Sequence, residues 1–151
     1  MIQKFFAPAK NSTSANFALL ILRLWIGVEM MVLHGVDKLM NFTTASPDFP
    51  DPLGIGRTAS LTLVVFAEVF ASLLLVVGLF TRFAALVLII DMTVAFVLIH
   101  KGALSGEHSG ELAFLYLLVY FVLFLAGPGR VSADKIFFGK NPTAPSTEKK
   151  G

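Results

Sequence analysis

Four long apolar blocks are the feature that most constrains how this chain can fold. They run over Phe17–Met40, Ser60–Phe80, Phe83–His100 and Glu111–Ala126. Each is close to the ~20 residues that an α-helix needs to cross a hydrocarbon core about 30 Å thick. None shows the polar stripe at helical spacing that a helix of a soluble bundle carries on its outer face. The pattern predicts an all-α fold, an integral membrane four-helix bundle.

The composition supports this interpretation and excludes several classes of function. The 151 residues are 56% hydrophobic and only 15% charged, whereas soluble domains carry about 25% charged residues. The blocks lack the alternation of a transmembrane barrel strand. The absence of cysteine excludes disulfides, thiolate-bound iron–sulfur clusters and thiol relays from this chain. A net charge of +2 gives no reason to expect a nucleic-acid partner.

The distribution of basic residues predicts the orientation of the bundle. Residues 1–16 are expected to be a cytoplasmic segment ahead of an uncleaved signal anchor, residues 17–138 the transmembrane domain, and residues 139–151 a disordered cytoplasmic tail. By the positive-inside rule, both termini are expected in the cytoplasm. The basic residues assigned to that side are Lys4, Lys10, Arg82, Arg130, Lys135, Lys140, Lys149 and Lys150.

The connections between the blocks carry clear turn signals. Gly78–Arg82 reads as a tight turn, Gly127-Pro128-Gly129 is expected to end the last long helix, and Ser132 is expected to cap a short one. The connection Thr43–Ser60 is rich in proline, glycine and aspartate and is long for a helical bundle. It either caps the outer end of the bundle or forms a flexible loop.

Four ionisable side chains are expected deep within the membrane. Glu29, Glu68 and Asp91 lie near the midpoints of the first three blocks, and Arg23 lies about 9 Å along the helix from Glu29. Each charge would cost about 2.5–3.5 kcal/mol facing lipid, so all four should face the bundle interior. Arg23 is expected to pair with one or two of the acids. Such a cluster either locks the helices together or binds a ligand, protons or a redox cofactor.

The first block also predicts a polar stripe that continues to the outer rim. At about 100° per residue, one face is shared by Arg23, Gly27, Met30, His34 and Asp37/Lys38, and Glu29 points about 120° away. Gly27 permits close helix approach or leaves room for a ligand. The outer rim carries further polar residues, and their spacing lacks a recognised metal- or haem-ligand signature, so no metal site is predicted. The rim group consists of His34, Asp37, Lys38, His100, Glu107, His108 and Glu111.

Several of these residues belong to motifs whose order and spacing resemble the DoxX family of small four-helix bacterial membrane proteins, over roughly residues 17–138. The first span contributes RLWIGVEMMVLHGVDKL, with Arg, Gly, His-Gly and Lys. The next two contribute AEVFASLLLVVGLFTRFAALVLIIDMTVAFVLIH, with Glu, Gly-Leu-x-Thr-Arg, Asp and His. GELAFLYLL opens the fourth helix, and GPGRVSAD follows it. Val131 stands where the family often has an aromatic residue.

The resemblance implies a membrane oxidoreductase system. The family is named after a subunit associated with a terminal quinol oxidase, and relatives resemble the membrane subunit of thiosulfate:quinone oxidoreductase. It implies a location in the bacterial inner membrane. The functional face that it implies comprises Arg23, His34, Lys38, Glu68, Asp91, His100 and Glu111.

The hypothesis that follows is a quinone headgroup bound inside the bundle. His34 or Arg23 would hydrogen-bond a quinone carbonyl, Gly27 and Glu29 would complete the binding face, and Glu68 or Asp91 would exchange protons. Electrons would come from a partner oxidoreductase subunit or a soluble reductant. Two alternatives stay open: a scaffold or assembly subunit without chemistry of its own, and a small ion- or proton-coupled transporter, which would need a homo-oligomer to form a pathway.

Overall fold

The computed structural model of the protein describes residues 13–139, and within this range it is helical without strands. Residues 1–12 of the predicted N-terminal segment and residues 140–151 of the predicted tail lie outside the described residues. The prediction of four long apolar helices is confirmed, although the first begins at Thr13 rather than Phe17. The helices are α1 (Thr13–Met40), α2 (Arg57–Val77), α3 (Thr81–Ile99), α4 (Glu111–Ala126) and the short α5 (Ala133–Phe138).

The four long helices pack as a ring. Each contacts the next along the chain, and α4 returns to contact α1. By length and composition, α1, α2 and α3 can each cross a membrane. The 16 residues of α4 extend about 24 Å and carry no charge after Glu111. Large apolar side chains such as Trp25 and Leu125 point outward, as expected for a bundle whose outer surface contacts lipid.

The predicted turns are confirmed. The chain passes from α2 to α3 through Gly78–Phe80, and α4 ends at Ala126, directly before Gly127-Pro128-Gly129. Ser132 caps α5, because its side chain accepts the backbone N–H of Lys135 at 3.2 Å.

The turn end of the bundle, defined as residues 78–82 and 127–139, is held together by Asp134. This carboxylate is fully buried and accepts the backbone N–H groups of Phe80 and Thr81 at 2.7 and 2.9 Å. Both donors belong to the first turn of α3, where helical N–H groups lack partners within the helix. Asp134 therefore ties α5 to the start of α3.

The side chain of Arg23 contacts the turn end. The prediction that Arg23 pairs with the membrane acids is therefore wrong. Its guanidinium donates to the carbonyl oxygens of Pro128 and Val131, the second at 2.8 Å. It interacts electrostatically with Asp134. Gly78 has a φ of 75°, and a Cβ there would lie 2.8 Å from the Arg23 Cζ atom. The Arg23 guanidinium thus bonds to backbone carbonyl groups of the segment that follows α4.

The loop end, defined as residues 41–56 and 100–110, is folded onto the opposite end of the bundle. Asp51 accepts the N–H groups of Ile55 and Gly56 at 3.1 and 2.8 Å and the Ser60 hydroxyl at 2.7 Å. These bonds, the Ser60 hydroxyl foremost, lower the pKa of the exposed Asp51 carboxyl. Of the two interpretations of this connection, the structure agrees with a cap.

Three of the long helices contain a wider, π-helical turn. In each, backbone N–H groups bond to the carbonyl five residues earlier. Such turns leave carbonyls displaced from the α-helical ladder and are frequent at functional sites. Apolar periodicity does not predict them. They run over Met30–Gly35 in α1, Phe66–Ala71 in α2 and Ala95–Ile99 in α3.

Candidate functional site

An apolar cavity of about 460 Å³ lies between α2 and α3, beneath the loop end. We call it the lateral cavity. Its roof is formed by loop residues that include Phe49 and Leu53. Its walls include Phe66 of α2 and Ile90 of α3, which are 44% and 57% exposed on the outer surface of the bundle. The cavity therefore opens sideways, towards the region that lipid occupies.

The polar part of the lateral cavity is an ion pair between α1 and α2. The Lys38 ammonium donates to both carboxylate oxygens of Glu68, at 2.9 and 2.7 Å, and to the carbonyl of His34 at 3.3 Å. The Glu68 side chain is only 7% exposed and that of Lys38 is 27% exposed. Charge-assisted bonds of this kind are the strong ones in a water-poor setting. The sequence placed Lys38 at the membrane border; its long side chain instead reaches back into the bundle.

A close crossing of α1 and α2 sets the geometry of this pair. Gly35 lies directly over the backbone of Glu68: a Cβ at Gly35 would stand 2.8 Å from the Glu68 carbonyl carbon and 2.9 Å from its oxygen. Only a residue without a side chain allows the two helices this close. Lys38 follows almost one turn later in α1, so its ammonium comes within reach of the Glu68 carboxylate.

Asp91 of α3 completes the polar part of the lateral cavity. It interacts electrostatically with Glu68 and with Lys38. Its Oδ2 atom is buried and has no hydrogen-bond partner among residues 13–139. A buried polar atom without a partner costs free energy unless something satisfies it, so this oxygen is the natural contact for a bound molecule or proton.

A second, smaller cavity of about 270 Å³ lies on the other side of Glu68, towards α4. We call it the histidine cavity, since His34 and His100 both line it, with Ser109 at the loop end and Tyr116 on α4. The His34 and Tyr116 rings meet edge to face, with centroids 5.7 Å apart. Glu68 lines both cavities. One carboxylate therefore stands between an apolar space and a more polar one.

The other predicted site residues take different positions. Glu29 is half-buried and interacts with the Tyr116 hydroxyl, at the inner end of the histidine cavity. Gly27 serves close helix approach rather than ligand space, because a Cβ there would lie 2.7 Å from a Val76 methyl. Glu111 is exposed at the start of α4 and lines neither cavity. Ser109 accepts the Glu111 N–H at 3.1 Å, as expected of a residue just before the helix.

Two tyrosines of α4 were missed by the sequence reasoning. Tyr116 and Tyr120 are buried, and their rings stack with centroids 6.0 Å apart. Tyr120 interacts electrostatically with Tyr116 and with the three membrane carboxylates. The available signal was the presence of the chain's only two tyrosines one helical turn apart in the most apolar block. Asp134 was also missed as a connection between elements, because its partners are backbone groups far away in sequence.

No metal centre is formed in the part of the chain that the structure describes. Within residues 13–139, no group of three or more histidine, aspartate or glutamate side chains is arranged to hold a metal ion. Of the rim histidines, His34 and His100 line the histidine cavity, and the Nδ1 atom of His100 contacts the His108 carbonyl oxygen at 3.0 Å.

Comparisons with known proteins agree with this architecture. The profile of the DoxX family matches residues 18–101, which include Arg23, Lys38, Glu68, Asp91 and His100. An uncharacterized protein of Haemophilus influenzae is 35% identical over 118 residues, covering 74% of this chain and 84% of the relative. No solved structure matches the chain. The family match and this relative together show that the chain belongs to the DoxX family.

Proposed function

We propose that this protein is a quinone-interacting subunit of a membrane oxidoreductase system, and that the lateral cavity is its quinone site. The observation that carries the proposal is the placement of Lys38, Glu68 and Asp91 at the polar end of an apolar cavity that opens towards lipid. A quinone is itself a membrane-soluble molecule with an apolar ring and tail and two carbonyl acceptors. Apolar walls with a few placed polar groups are what such a ligand requires.

The donors and acceptors fit the ligand. The Lys38 ammonium carries three N–H donors, and the one that now contacts the His34 carbonyl at 3.3 Å can turn to a quinone carbonyl while the two bonds to Glu68 are kept. The Asp91 Oδ2 atom, buried without a partner among the described residues, can share a proton with the other carbonyl or hydroxyl. The tail would leave between Phe66 and Ile90, which face outward. Arg23 takes no part in this arrangement, because it is bonded at the turn end.

Each residue of the site then has a defined task. Lys38 orients the headgroup and fixes the position of the Glu68 carboxylate. Asp91 and Glu68 hold and move the protons that accompany the interconversion of quinone and quinol. A bound quinone supplies the two-electron chemistry. Since the chain has no cysteine, electrons would be exchanged with a partner subunit or a soluble reductant.

The proposed orientation follows from the basic residues of the two ends. Arg82, Arg130 and Lys135 lie at the turn end, which by the positive-inside rule would face the cytoplasm of a bacterial inner membrane. Both chain termini would then be cytoplasmic, and the loop end would face outward. Labelling of single-cysteine variants from either side of sealed vesicles measures this, and a cysteine-free chain makes the measurement direct.

The first test is direct binding of a short-chain quinone to the purified protein in lipid nanodiscs. Lys38→Met and Asp91→Asn should each weaken the affinity, because loss of a hydrogen bond to a charged group costs about 1.5–3 kcal/mol, or roughly 10- to 100-fold in Kd. Glu111→Gln is the matched control, since Glu111 is exposed and lines neither cavity. It should bind like the unmodified chain.

Extraction of the purified protein with organic solvent, followed by mass spectrometry, gives an independent result. Quinone at about one molecule per chain, with a smaller amount in Lys38→Met, supports the proposal. Equal binding by all variants, or no saturable binding in nanodiscs, rejects it.

A scaffold role is the second candidate, and Arg23 favours it. The buried Arg23 guanidinium donates to carbonyl groups of the turn end. These bonds connect α1 to the segment after α4. If Lys38→Met and Asp91→Asn lose association with a partner subunit while quinone binding is unaffected, the buried charges serve assembly.

A further inference from the structure

We propose that the histidine cavity is a proton route, which connects water at the loop end to the carboxylate of Glu68. What uses the proton rests on the proposed function of the lateral cavity; the route itself does not. The geometry that carries the inference is the position of Glu68, which lines the histidine cavity on one side and the lateral cavity on the other.

The outer part of the route begins at His100. Its Nδ1 lies 3.0 Å from the carbonyl oxygen of His108, in an exposed contact at the loop end. A carbonyl oxygen can only accept, so Nδ1 carries the hydrogen and Nε2 of the neutral ring keeps the lone pair. The ring can therefore take a proton at Nε2 while it stays attached to the loop. Ser109 also lines the cavity, and its hydroxyl accepts the Glu111 N–H at the start of α4.

The inner part of the route is formed by His34. Its ring lies in the same cavity as Glu68, and it interacts electrostatically with that carboxylate. The π-helical turn Met30–Gly35 contains His34, and it ends at Gly35, which lies at the crossing with α2 against the backbone of Glu68. The cavity volume of about 270 Å³ leaves room for several water molecules between the side chains.

Much of the remaining wall is apolar, formed by Met30, Met92, Ala95, Leu112 and Ala113. The polar side chains that the route uses are those of His100, His34 and Glu68, and the Tyr116 ring completes the wall. A proton that enters from loop-end water ends on the Glu68 carboxylate, which shares the lateral cavity with Asp91.

The absence of cysteine allows the route to be closed after folding. A Ser109→Cys variant places a unique thiol in the wall of the histidine cavity, and a bulky methanethiosulfonate reagent then blocks the cavity. Ser105→Cys, exposed at the loop end and lining neither cavity, is the matched control. Leu112→Cys, also in the cavity wall, is the second blocking site if Ser109→Cys does not fold.

The readout is transfer of magnetisation from water to ring nitrogens in ¹⁵N-histidine-labelled protein in lipid bilayers. The chain has three histidines, and the exposed His108 serves as the internal reference. Before modification, His34 should exchange with water. Blocking at residue 109 should abolish exchange at His34 and leave that of His108 unchanged, and reductant should restore it. Blocking at residue 105 should have no effect.

Two results would overturn the route. One is an unmodified His34 that does not exchange with water; the other is exchange at His34 that persists when the cavity is blocked. Neither depends on quinone, so the route and the proposed function fail separately. A chain that exchanges protons at His34 and binds no quinone keeps the route and loses the quinone site.

Discussion

The Lys38–Glu68 pair should be the largest electrostatic contribution to the stability of the bundle. Lys38→Met leaves the Glu68 carboxylate, with its side chain 7% exposed, without its counter-charge. Removing one partner of a buried pair costs about 3–5 kcal/mol. Because the Lys38 side chain is 27% exposed, water at the loop end screens part of this interaction. We therefore expect the free energy of unfolding to fall by about 2–3 kcal/mol.

The converse substitution should cost less. In Glu68→Gln, the Lys38 ammonium can turn towards water on its long stem, so the expected loss is about 1 kcal/mol. The double variant Lys38→Met/Glu68→Gln removes both charges and leaves no uncompensated ion. Its stability should lie close to that of Glu68→Gln, so the coupling in a double-mutant cycle has the size of the Lys38→Met loss, about 2–3 kcal/mol.

The assay is reversible unfolding in mixed micelles with increasing dodecyl sulfate, followed by circular dichroism. An internal comparison is available in the exposed pair of Arg57 and Asp48, which are 3.9 Å apart with side chains 59% and 96% exposed. A cycle on that pair should give a coupling of about 0–0.5 kcal/mol. The reasoning is refuted if the two cycles give the same coupling, or if the double variant is less stable than Lys38→Met.

Three further predictions concern other parts of the chain. Gly35→Ala should destabilise the protein by about 1–3 kcal/mol in the same unfolding assay, because the new Cβ would stand 2.8 Å from the Glu68 carbonyl carbon. Asp134→Asn should cost about 1–2 kcal/mol, since an amide NH₂ replaces one of the oxygens that cap α3. The Ser60 hydroxyl lowers the pKa of Asp51. The stabilisation of the loop end by the Asp51 carboxylate should therefore be complete above the unfolded pKa of about 3.9 and lost as the pH falls through the lower folded pKa. Amide hydrogen exchange of residues 54–56 measures this loss.

Each of these predictions has its own control. Val69→Ala removes a methyl that would also meet the new Cβ at 2.7 Å, and recovery of Gly35→Ala by this second change would show that the backbone crossing is not the cause. Asp48→Asn, at an exposed carboxylate, should leave stability unchanged. Asp51→Asn should remove the acid-dependent step in hydrogen exchange. If Asp51→Asn shows a step of the same size, the acid-dependent step belongs to another titratable group.

The helices were predictable because bilayer thickness sets their length and apolar side chains mark them. The break at Gly127-Pro128-Gly129 and the cap at Ser132 depend on local backbone chemistry, so the sequence contains them. The polar stripe of α1 was predictable for the same reason: Arg23, Gly27 and Met30 are buried, and His34 and Lys38 are half-buried.

The partners of the charged residues were not predictable from depth alone. Arg23 and Glu29 are close along α1, but Arg23 bonds to carbonyl groups whose position depends on how α4 ends. Lys38 lies far from Glu29 along α1, yet its stem reaches Glu68 because Gly35 lets α1 and α2 touch. Such pairings depend on helix crossings, which the spacing of residues in one helix does not encode.

The three π-helical turns have a consequence for how the chain tolerates length changes. A π turn contains one residue more than an α turn, so each behaves as a single-residue insertion held within an otherwise regular helix. Deleting one residue from Met30–Gly35 would close the wide turn into an α turn, and the helix on either side would keep its orientation. A deletion in the regular part of α1, Thr13–Glu29, has no wide turn to absorb it, so everything beyond the deletion would rotate by about 100° and retreat by about 1.5 Å. Lys38 would then leave the bundle interior and face another direction, although no residue of the site had been altered. In this chain the helix register itself, as much as the identity of the polar residues, determines which side chains meet.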